Sequence, residues 1–317
     1  MASDTPHLSS AQQQRLDRIG SQVCSWRNRH RQAIEAWVIL TPILIYQVIF
    51  FILPIIGNLY ISFTEWGGMG KPIWVGLENY RRYFTGSYVK IWYNTAIFAV
   101  FILVLQTTIG FFLALLLNQK VIGLPIYRTL FYAPTLTSAA ITGSVLLVFL
   151  GSYDGVLNMI LKSMGLKEIV WLWDTTWMRV FIILYSTWRG IGGPMVLFLA
   201  ALQGIHREIY EAAMVDGATG WDLIRFITVP LLRPMLIYVV ITGMVGTFQV
   251  FDAIRVTTNG GPAGTTNVVM LQIYNDAWGS GKLGLAAAGA VALALVLLGL
   301  TITQMRMMSR AGDVEAG

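Results

Sequence analysis

The chain has 317 residues, of which 56% are hydrophobic and only 12% are charged, with a formal net charge of +6. Soluble domains carry about 25% charged residues, so this composition excludes a water-soluble globular protein and indicates a polytopic, all-α membrane protein. One cysteine and three scattered histidines exclude a disulfide framework and a His/Cys metal cluster. Outside the N-terminal tail no basic patch interleaved with aromatic residues indicates a nucleic-acid partner.

Residues 1–35 form a polar, basic tail with five arginines, and an apolar run follows at 36–62. Positive residues beside the first apolar run are retained in the cytoplasm. The run is much longer than the roughly 7–15 residues of a signal-peptide core, and no small-residue cleavage site follows. We therefore predict an uncleaved first transmembrane helix rather than a signal peptide.

Five more apolar runs follow, and each approaches the ~20 residues needed to cross about 30 Å of hydrocarbon. We predict them at about 92–117, 129–150, 178–202, 234–251 and 283–303, and Pro134 interrupts the run at 129–150. Six crossings from a cytoplasmic N-terminus place the C-terminus in the cytoplasm as well. The organisation is then one six-helix domain over 36–306, with a short cytoplasmic tail at 307–317.

The polar segments between these runs divide between the two sides of the bilayer. The predicted external segments are 64–91, 151–177 and the polar loop 252–282, and the predicted cytoplasmic ones are 118–128 and 203–233. In the last span, small residues at Gly284, Ala286 to Ala288 and Gly289 indicate a close-packing face.

The cytoplasmic segment 203–233 has the pattern of two short helices. Good or tolerable helix formers run from Glu208 to Val215, and Asp216 and Gly217 end that helix. Gly217 suits the left-handed turn that follows many helices.

The second helix begins at Thr219, an N-cap residue with Asp222 three positions later. Trp221, Ile224 and Ile227 recur at helical spacing and predict one apolar face. The helix is predicted to end at Val229-Pro230, because proline disfavours helix in the residue before it.

Two interpretations of this segment are open from its pattern. It is either an amphipathic loop resting on lipid headgroups or a surface for a protein partner. Interfacial helices usually favour Lys and Arg on the polar face, whereas the stretch from Arg207 to Arg233 has four acids and three arginines. The acidic balance favours a protein partner.

The same stretch resembles the EAA motif of the permease subunits of ATP-binding-cassette importers, which reads Glu-Ala-Ala, three residues, Gly, nine residues, Ile, one residue, Leu-Pro. The chain departs from it at Val229, where the family usually has Leu. The matching positions are Glu211, Ala212, Ala213, Gly217, Ile227 and Pro230.

Four further stretches resemble sugar-type permeases of the maltose and glycerol-3-phosphate importers. They are WVGLENY (74–80), Asn94-Thr95, FLAALQ (198–203) and FDAIRVTTNGGP (251–262). Within that group, VGLENY and TNGGP resemble the type related to the larger maltose permease.

The resemblance implies a non-catalytic channel subunit of an importer in the cytoplasmic membrane of a bacterium or archaeon. Its implied partners are a second homologous permease, two ATPase subunits, an external solute-binding protein and the lipid bilayer. The EAA segment is implied to be a coupling helix that fits an ATPase subunit. Glu211 is then its polar anchor, Ala212 and Ala213 allow close contact, and Asp216-Gly217 makes the bend.

The chain itself is not expected to bind a nucleotide or another cofactor. Its nearest phosphate-loop lookalike is GSGK at 279–282, but a phosphate loop requires G-x-x-x-x-G-K-[ST]. The position that needs the first glycine is Asp276, and Leu283 follows the lysine. ATP and magnesium are therefore expected on the partner ATPase subunits.

Candidates for contact with the solute are polar or aromatic residues in or near the spans. Arg189 is the one full charge predicted inside a span, and it either faces the solute path or makes a structural or interfacial contact. Trp188 either stacks on a sugar ring or faces lipid. Asn94, Gln249 and Asp252 lie near predicted span ends, where they either line the path or cap helices.

Two functions of other classes compete with the importer. A secondary transporter working alone would need paired broken helices and midplane ion ligands, and only one intramembrane charge is predicted. A membrane-embedded enzyme would need a carboxylate pair, a metal cluster or a nucleophile with its base, and the sequence offers no such set. The leading prediction is an ATP-driven permease for a carbohydrate.

Overall fold

The computed structural model of the chain describes residues 35–119, 123–151 and 155–313. Of the predicted N-terminal tail, 1–34 lies outside the described residues, as does 314–317 at the other end. The helices in chain order are α1 (Glu35–Ser62), α2 (Glu78–Tyr83), α3 (Ser87–Leu117), α4 (Leu124–Leu136), α5 (Ala139–Phe149), α6 (Val156–Ser163), α7 (Thr175–Gly190), α8 (Gly192–Gln203), α9 (Arg207–Val215), α10 (220–231), α11 (Arg233–Phe248), α12 (Asp252–Thr257), α13 (Val269–Tyr274) and α14 (Leu283–Asp313).

The predicted multi-pass helical architecture is confirmed at this level. Among the described residues, four stretches are long and apolar enough to cross a membrane, namely Glu35–Ser62, Ser87–Leu117, Arg233–Thr257 and Leu283–Arg306. The helix pairs α4–α5 and α7–α8 pass the same test together but are bent, by 95° and 42°. The count is six if each bent pair is one span.

The first helix continues through both of its prolines, Pro42 and Pro54. A π-helical turn at Val48–Ile52 comes immediately before Pro54, and the Leu53 N–H donates to the Val48 carbonyl. In a π-helix each N–H donates to the carbonyl five residues earlier. This bonding keeps the backbone paired as far as Pro54, which has no N–H to donate.

The third span, predicted at 129–150 with an interruption at Pro134, is broken after Leu136. Thr137 and Ser138 adopt extended backbone conformations, with ψ of 143° and 131°, between α4 and α5. Pro134 cannot donate a backbone hydrogen bond, and side chains of α7 bind carbonyls at the break. The helix also begins earlier than predicted, because Gly123 takes a left-handed conformation and Pro125 lies in the first turn, where a missing N–H costs nothing.

Two predicted polar segments contain more regular structure than expected. The predicted loop 252–282 includes α12, α13 and a π-helical turn at Asn275–Gly279. The predicted segment 64–91 contains α2 and an antiparallel pair of strands, β1 (Thr64–Glu65) and β2 (Ile73–Trp74). This hairpin is a small departure from the all-α prediction.

Helix α3 lies at the centre of the buried core. Its side chains contribute to three apolar clusters, with Ile91 and Ala99 in one, Phe98 in a second and Ala114 in the third. It approaches α8 so closely that a Cβ atom on Gly110 would lie 2.8 Å from the Pro194 side chain.

The small-residue face predicted on the last span is confirmed. Ala286, Ala287 and Ala288 are all buried. A Cβ atom on Gly284 would overlap the carbonyl of Thr64, and one on Gly289 would overlap the ring of Tyr83. Glycine at these two positions is what lets the last helix approach β1 and α2.

A buried acid, Asp276, joins three segments near the start of the last helix. Its side chain is 3% exposed and accepts hydrogen bonds from Tyr83 Oη (2.8 Å), Tyr88 Oη (3.2 Å) and Gln272 Nε2 (2.8 Å). Burial, and next the negative charge of Asp276, raise the pKa of Tyr83 above its ordinary range. The Tyr83 hydroxyl therefore remains a donor to Asp276 at any physiological pH.

Candidate functional site

The hairpin formed by α9 and α10 is the first candidate site, and its turn has the predicted geometry. Gly217 has a φ of 90°. The Ala218 N–H donates to the Ala213 carbonyl at 2.9 Å, and the Gly217 N–H donates to the Met214 carbonyl at 3.1 Å. These two bonds are a Schellman motif, which satisfies the last carbonyls of the helix.

The start of α10 agrees with the prediction, but its end does not. The Thr219 N–H donates to Asp222 Oδ2 at 3.5 Å, as the predicted capping pair requires. The helix then runs through Pro230 to Leu231 instead of stopping at Val229. A π-helical stretch at Leu223–Thr228 precedes the proline. Pro230 therefore lies in the first turn of a new helical segment, where its missing N–H is tolerated.

The surface of this hairpin is open and mixes apolar with charged groups. Glu211 is exposed and forms an ion pair of 2.7 Å with Arg207. The larger apolar side chains include Val215 at 88% exposure and Trp221 at 61%. Among the other predicted contact residues, Ala212, Asp216 and Pro230 are exposed, and Ala213 and Ile227 are half-buried.

A hydrogen bond between side chains joins the two helices of the hairpin. Tyr210 Oη lies 3.1 Å from Thr228 Oγ1, and Thr228 is buried. Leu232, immediately after α10, is also buried and belongs to the apolar cluster that contains Ala114 and Phe198. The exposed hairpin is thus joined directly to the packed helices.

The second candidate site is a cavity of about 310 Å³ among α3, α4, α7 and the α11–α12 junction. Three of the predicted solute-path residues meet there: Arg189, Gln249 and Asp252. Gln249 and Asp252 are exposed, and Arg189 is half-buried. The cavity is thus lined by charges of both signs together with an amide.

Asn94 lies away from this cavity. It is 1% exposed, and its Nδ2 donates to the carbonyls of Gly264 (3.1 Å) and Asn267 (3.0 Å). Its Oδ1 accepts from Arg179 Nη2 at 3.3 Å, and Arg179 Nε donates to the Thr265 carbonyl at 3.0 Å. In this structure Asn94 and Arg179 hold the glycine-rich loop after α12.

Trp188 also lies away from the cavity. Its side chain is 49% exposed and faces two apolar surface grooves, one bordered by α5 and one by α4. The neighbouring aromatic ring is that of Tyr185, with ring centroids 6.4 Å apart.

The cavity wall contains polar residues that the sequence reasoning missed. Gln106 on α3 donates through Nε2 to the Ser186 carbonyl at 2.9 Å and fills the space beside Gly190. Thr135 Oγ1 donates to the Arg189 carbonyl at 2.9 Å. Gln106 was detectable as an amide inside an apolar run, and Tyr185 as the residue one turn before Arg189.

Two polar atoms of the wall, Ser186 Oγ and Arg189 Nε, are buried without a hydrogen-bond partner among the described residues. Buried polar groups are normally paired. The wall therefore has hydrogen-bonding capacity beyond what the chain itself uses.

Comparison with known proteins matches residues 120–310 to the family described as "Binding-protein-dependent transport system inner membrane component". The lactose transport system permease protein LacF of Rhizobium radiobacter is 34% identical over 256 residues, which cover 76% of this chain and 83% of LacF. The trehalose/maltose transport system permease protein MalF of Thermococcus litoralis is 29% identical, over 88% of this chain and 95% of MalF.

The fold is similar to that of a chain in the crystal structure of a bacterial ABC transporter involved in the import of the acidic polysaccharide alginate. The TM-score is 0.79 at 25% identity, and the match covers 90% of this chain and 98% of that one. A second alginate transporter structure, in complex with an alginate pentasaccharide-bound periplasmic protein, gives the same TM-score at 24% identity.

Proposed function

This chain belongs to the family of binding-protein-dependent transport system inner membrane components, and from that premise we propose that it forms part of the membrane pore of an ATP-driven importer for a carbohydrate. Family membership favours this function over a secondary transporter working alone. In the proposed topology both termini and the hairpin α9–α10 are cytoplasmic, in the cytoplasmic membrane of a bacterium or archaeon.

The observation that carries the carbohydrate assignment is the cavity in which Arg189, Gln249 and Asp252 meet. Hydroxyl groups both donate and accept hydrogen bonds, and these three side chains supply donors and acceptors. Tyr185 and Phe251 add aromatic surface to the same wall. The cavity volume is at the lower end of the ~300–1,000 Å³ of typical ligand pockets, which suits part of a saccharide.

The names of the relatives support the same class of solute. Lactose, trehalose and maltose are the solutes named for two of them, and arabinooligosaccharides for a third, AraP of Halalkalibacterium halodurans, at 30% identity. We propose a neutral or acidic saccharide, delivered by an external solute-binding protein.

The energy is proposed to come from partner subunits. Two ATPase subunits bind ATP and magnesium, and a second, homologous permease completes the pore. The hairpin α9–α10 is the proposed docking element: Glu211 and Asp216 supply charge, Ala212 and Ala213 allow close approach, and Gly217 sets the turn. Ile227 and Pro230 belong to the α10 arm that carries the force towards Leu232.

The experiment is solute uptake by vesicles that contain the chain with the permease, ATPase and binding protein encoded beside it. Radiolabelled lactose, trehalose, maltose and arabinooligosaccharides are the probes, with glutamine as a control of another class. We expect ATP-dependent uptake of at least one saccharide, with reduced uptake in Asp252→Asn. ATP-dependent uptake of glutamine alone would refute the assignment.

A further inference from the structure

We propose that Tyr185 and Arg189, one turn apart on α7, are positioning residues that hold the segment α4–α5 in its bent form and so fix the shape of the cavity. The inference rests on the proposed function only in assigning the cavity to the solute. The bend and its bonds are independent of that assignment.

The bend needs partners because it interrupts a helix within an apolar span. The axes of α4 and α5 differ by 95°, and Thr137 and Ser138 between them are extended. Each unsatisfied backbone group in hydrocarbon costs several kcal/mol. A break of this size is therefore stable only where neighbouring groups bind the freed carbonyls.

Helix α7 supplies hydrogen-bond donors on both sides of the break from one face. Arg189 Nη2 donates to the Thr137 carbonyl at 3.2 Å. Tyr185 Oη donates to the Ala139 carbonyl at 3.0 Å and lies 2.6 Å from Thr142 Oγ1. Residues four apart lie on the same face of a helix, so the two side chains bind carbonyls on either side of the break.

The bonding is reciprocal at the second bend. Thr135 Oγ1 on α4 donates to the Arg189 carbonyl, which lies where α7 turns into α8. A Cβ atom on Gly192 would lie 2.9 Å from the Phe131 carbonyl, so glycine permits this contact. The two bends lie against each other and share their hydrogen bonds.

The same side chains form the cavity wall. Thr135, Tyr185 and Arg189 all line the cavity, whereas Thr142, which bonds to Tyr185, does not. Loss of the bonds at the break would therefore change the cavity even where no lining group is altered. This separates a positioning role from direct contact with the solute.

The test measures the bend by double electron–electron resonance in the assembled importer, in lipid nanodiscs without solute. Spin labels are placed at Tyr127 and Val148, on the far arms of α4 and α5, after Cys24 is replaced by Ser. With about 1.5 Å of rise per residue, the two label sites are roughly 20 Å apart at the observed bend and roughly 30 Å apart in a straight helix.

Each variant removes the hydrogen bonds of one side chain with little change of shape. We expect Arg189→Met and Tyr185→Phe to broaden the distance distribution towards longer values, and Thr142→Val to do so less. Arg189→Lys keeps a donor and is expected to stay near the wild type. Thr129→Val is the matched control, because Thr129 Oγ1 bonds only within α4, to the Pro125 carbonyl.

Unchanged distances in both Arg189→Met and Tyr185→Phe would overturn the proposal. If Arg189→Met also lost uptake, Arg189 would instead be a direct ligand, and the proposed function would stand. If the distances change but the wild type carries no saccharide, the positioning role holds and only the proposed function fails. For a carried saccharide, Thr142→Val is expected to raise KM severalfold, and a wild-type KM would count against the link to the cavity.

Discussion

Replacing Gly217 with Val tests whether the turn of the hairpin α9–α10 transmits work from a partner subunit. Gly217 has a φ of 90°, and a Cβ atom there would meet nothing within 4 Å. The substitution therefore adds no clash, and its cost is that of a left-handed conformation for an L-residue.

That cost is about 1–2 kcal/mol, with β-branched Val towards the upper end. Since 1–2 kcal/mol corresponds to a factor of about 5–30 in a two-state equilibrium, the ratio of correctly formed to misformed hairpin should fall by that factor. The Schellman bonds from Gly217 and Ala218 to the end of α9 are lost in the other state.

The assay is ATP-dependent uptake by the reconstituted importer, with ATPase activity and co-purification of the ATPase measured on the same samples. We expect uptake in Gly217→Val to fall by up to about 5- to 30-fold, with uncoupled or lost ATPase. Gly217→Asn should lose much less, because Asn adopts the left-handed conformation more readily.

Gly165→Val is the matched control. Gly165 also has a positive φ, of 70°, with nothing within 4 Å of a Cβ atom, and it lies in the loop after α6. The substitution has the same backbone cost as Gly217→Val, but it lies far from the hairpin in the sequence. Wild-type uptake in Gly217→Val, or an equal loss in Gly165→Val, would refute the reasoning.

Three further predictions follow from contacts described above. Glu211→Lys should abolish uptake and ATPase co-purification while leaving thermal stability within about 1 kcal/mol, because an exposed ion pair with Arg207 contributes little; retained docking would contradict this. Asn94→Leu should lower stability by about 1–3 kcal/mol in thermal unfolding, since two hydrogen bonds to the glycine-rich loop are lost; an unchanged melting temperature would contradict this. The raised pKa of Tyr83 means that the folded protein keeps a proton that the unfolded chain releases above about pH 10, so stability should fall as pH rises from there. Tyr83→Phe should make that fall shallower, and identical pH profiles would exclude the effect.

Much of the structure of the hairpin could be predicted from residues close together in the sequence. The turn at Gly217 and the pairing of Thr219 with Asp222 depend on residues within five positions of one another, so the pattern alone predicted them. The predicted helix end at Pro230 was wrong because the helix continues through this proline after a π-helical stretch. Residue types do not reveal that stretch.

The features that could not be predicted from the sequence depend on contacts between residues far apart along the chain. The bend after Leu136 is stabilised by Arg189 and Tyr185, about fifty positions later, and Pro134 indicates an interruption but not a bend of 95°. The sequence singled out Arg189 as a charge within a span, but only the fold brings it beside Gln249 and Asp252. The sequence allows Asn94 either to line a path or to cap a helix, and the structure places it against the glycine-rich loop.

The central position of α3 has a mechanical consequence. Its 31 residues form a rod of about 46 Å, with Leu117 at one end in the same cluster as Leu232 and Ile91 at the other end in the same cluster as Tyr83. A tilt of about 5° at the hairpin end would displace the opposite end by about 4 Å over that length. Because close-packed clusters resist continuous deformation, in the proposed mechanism the helix acts as a lever that carries displacement at the hairpin to its opposite end.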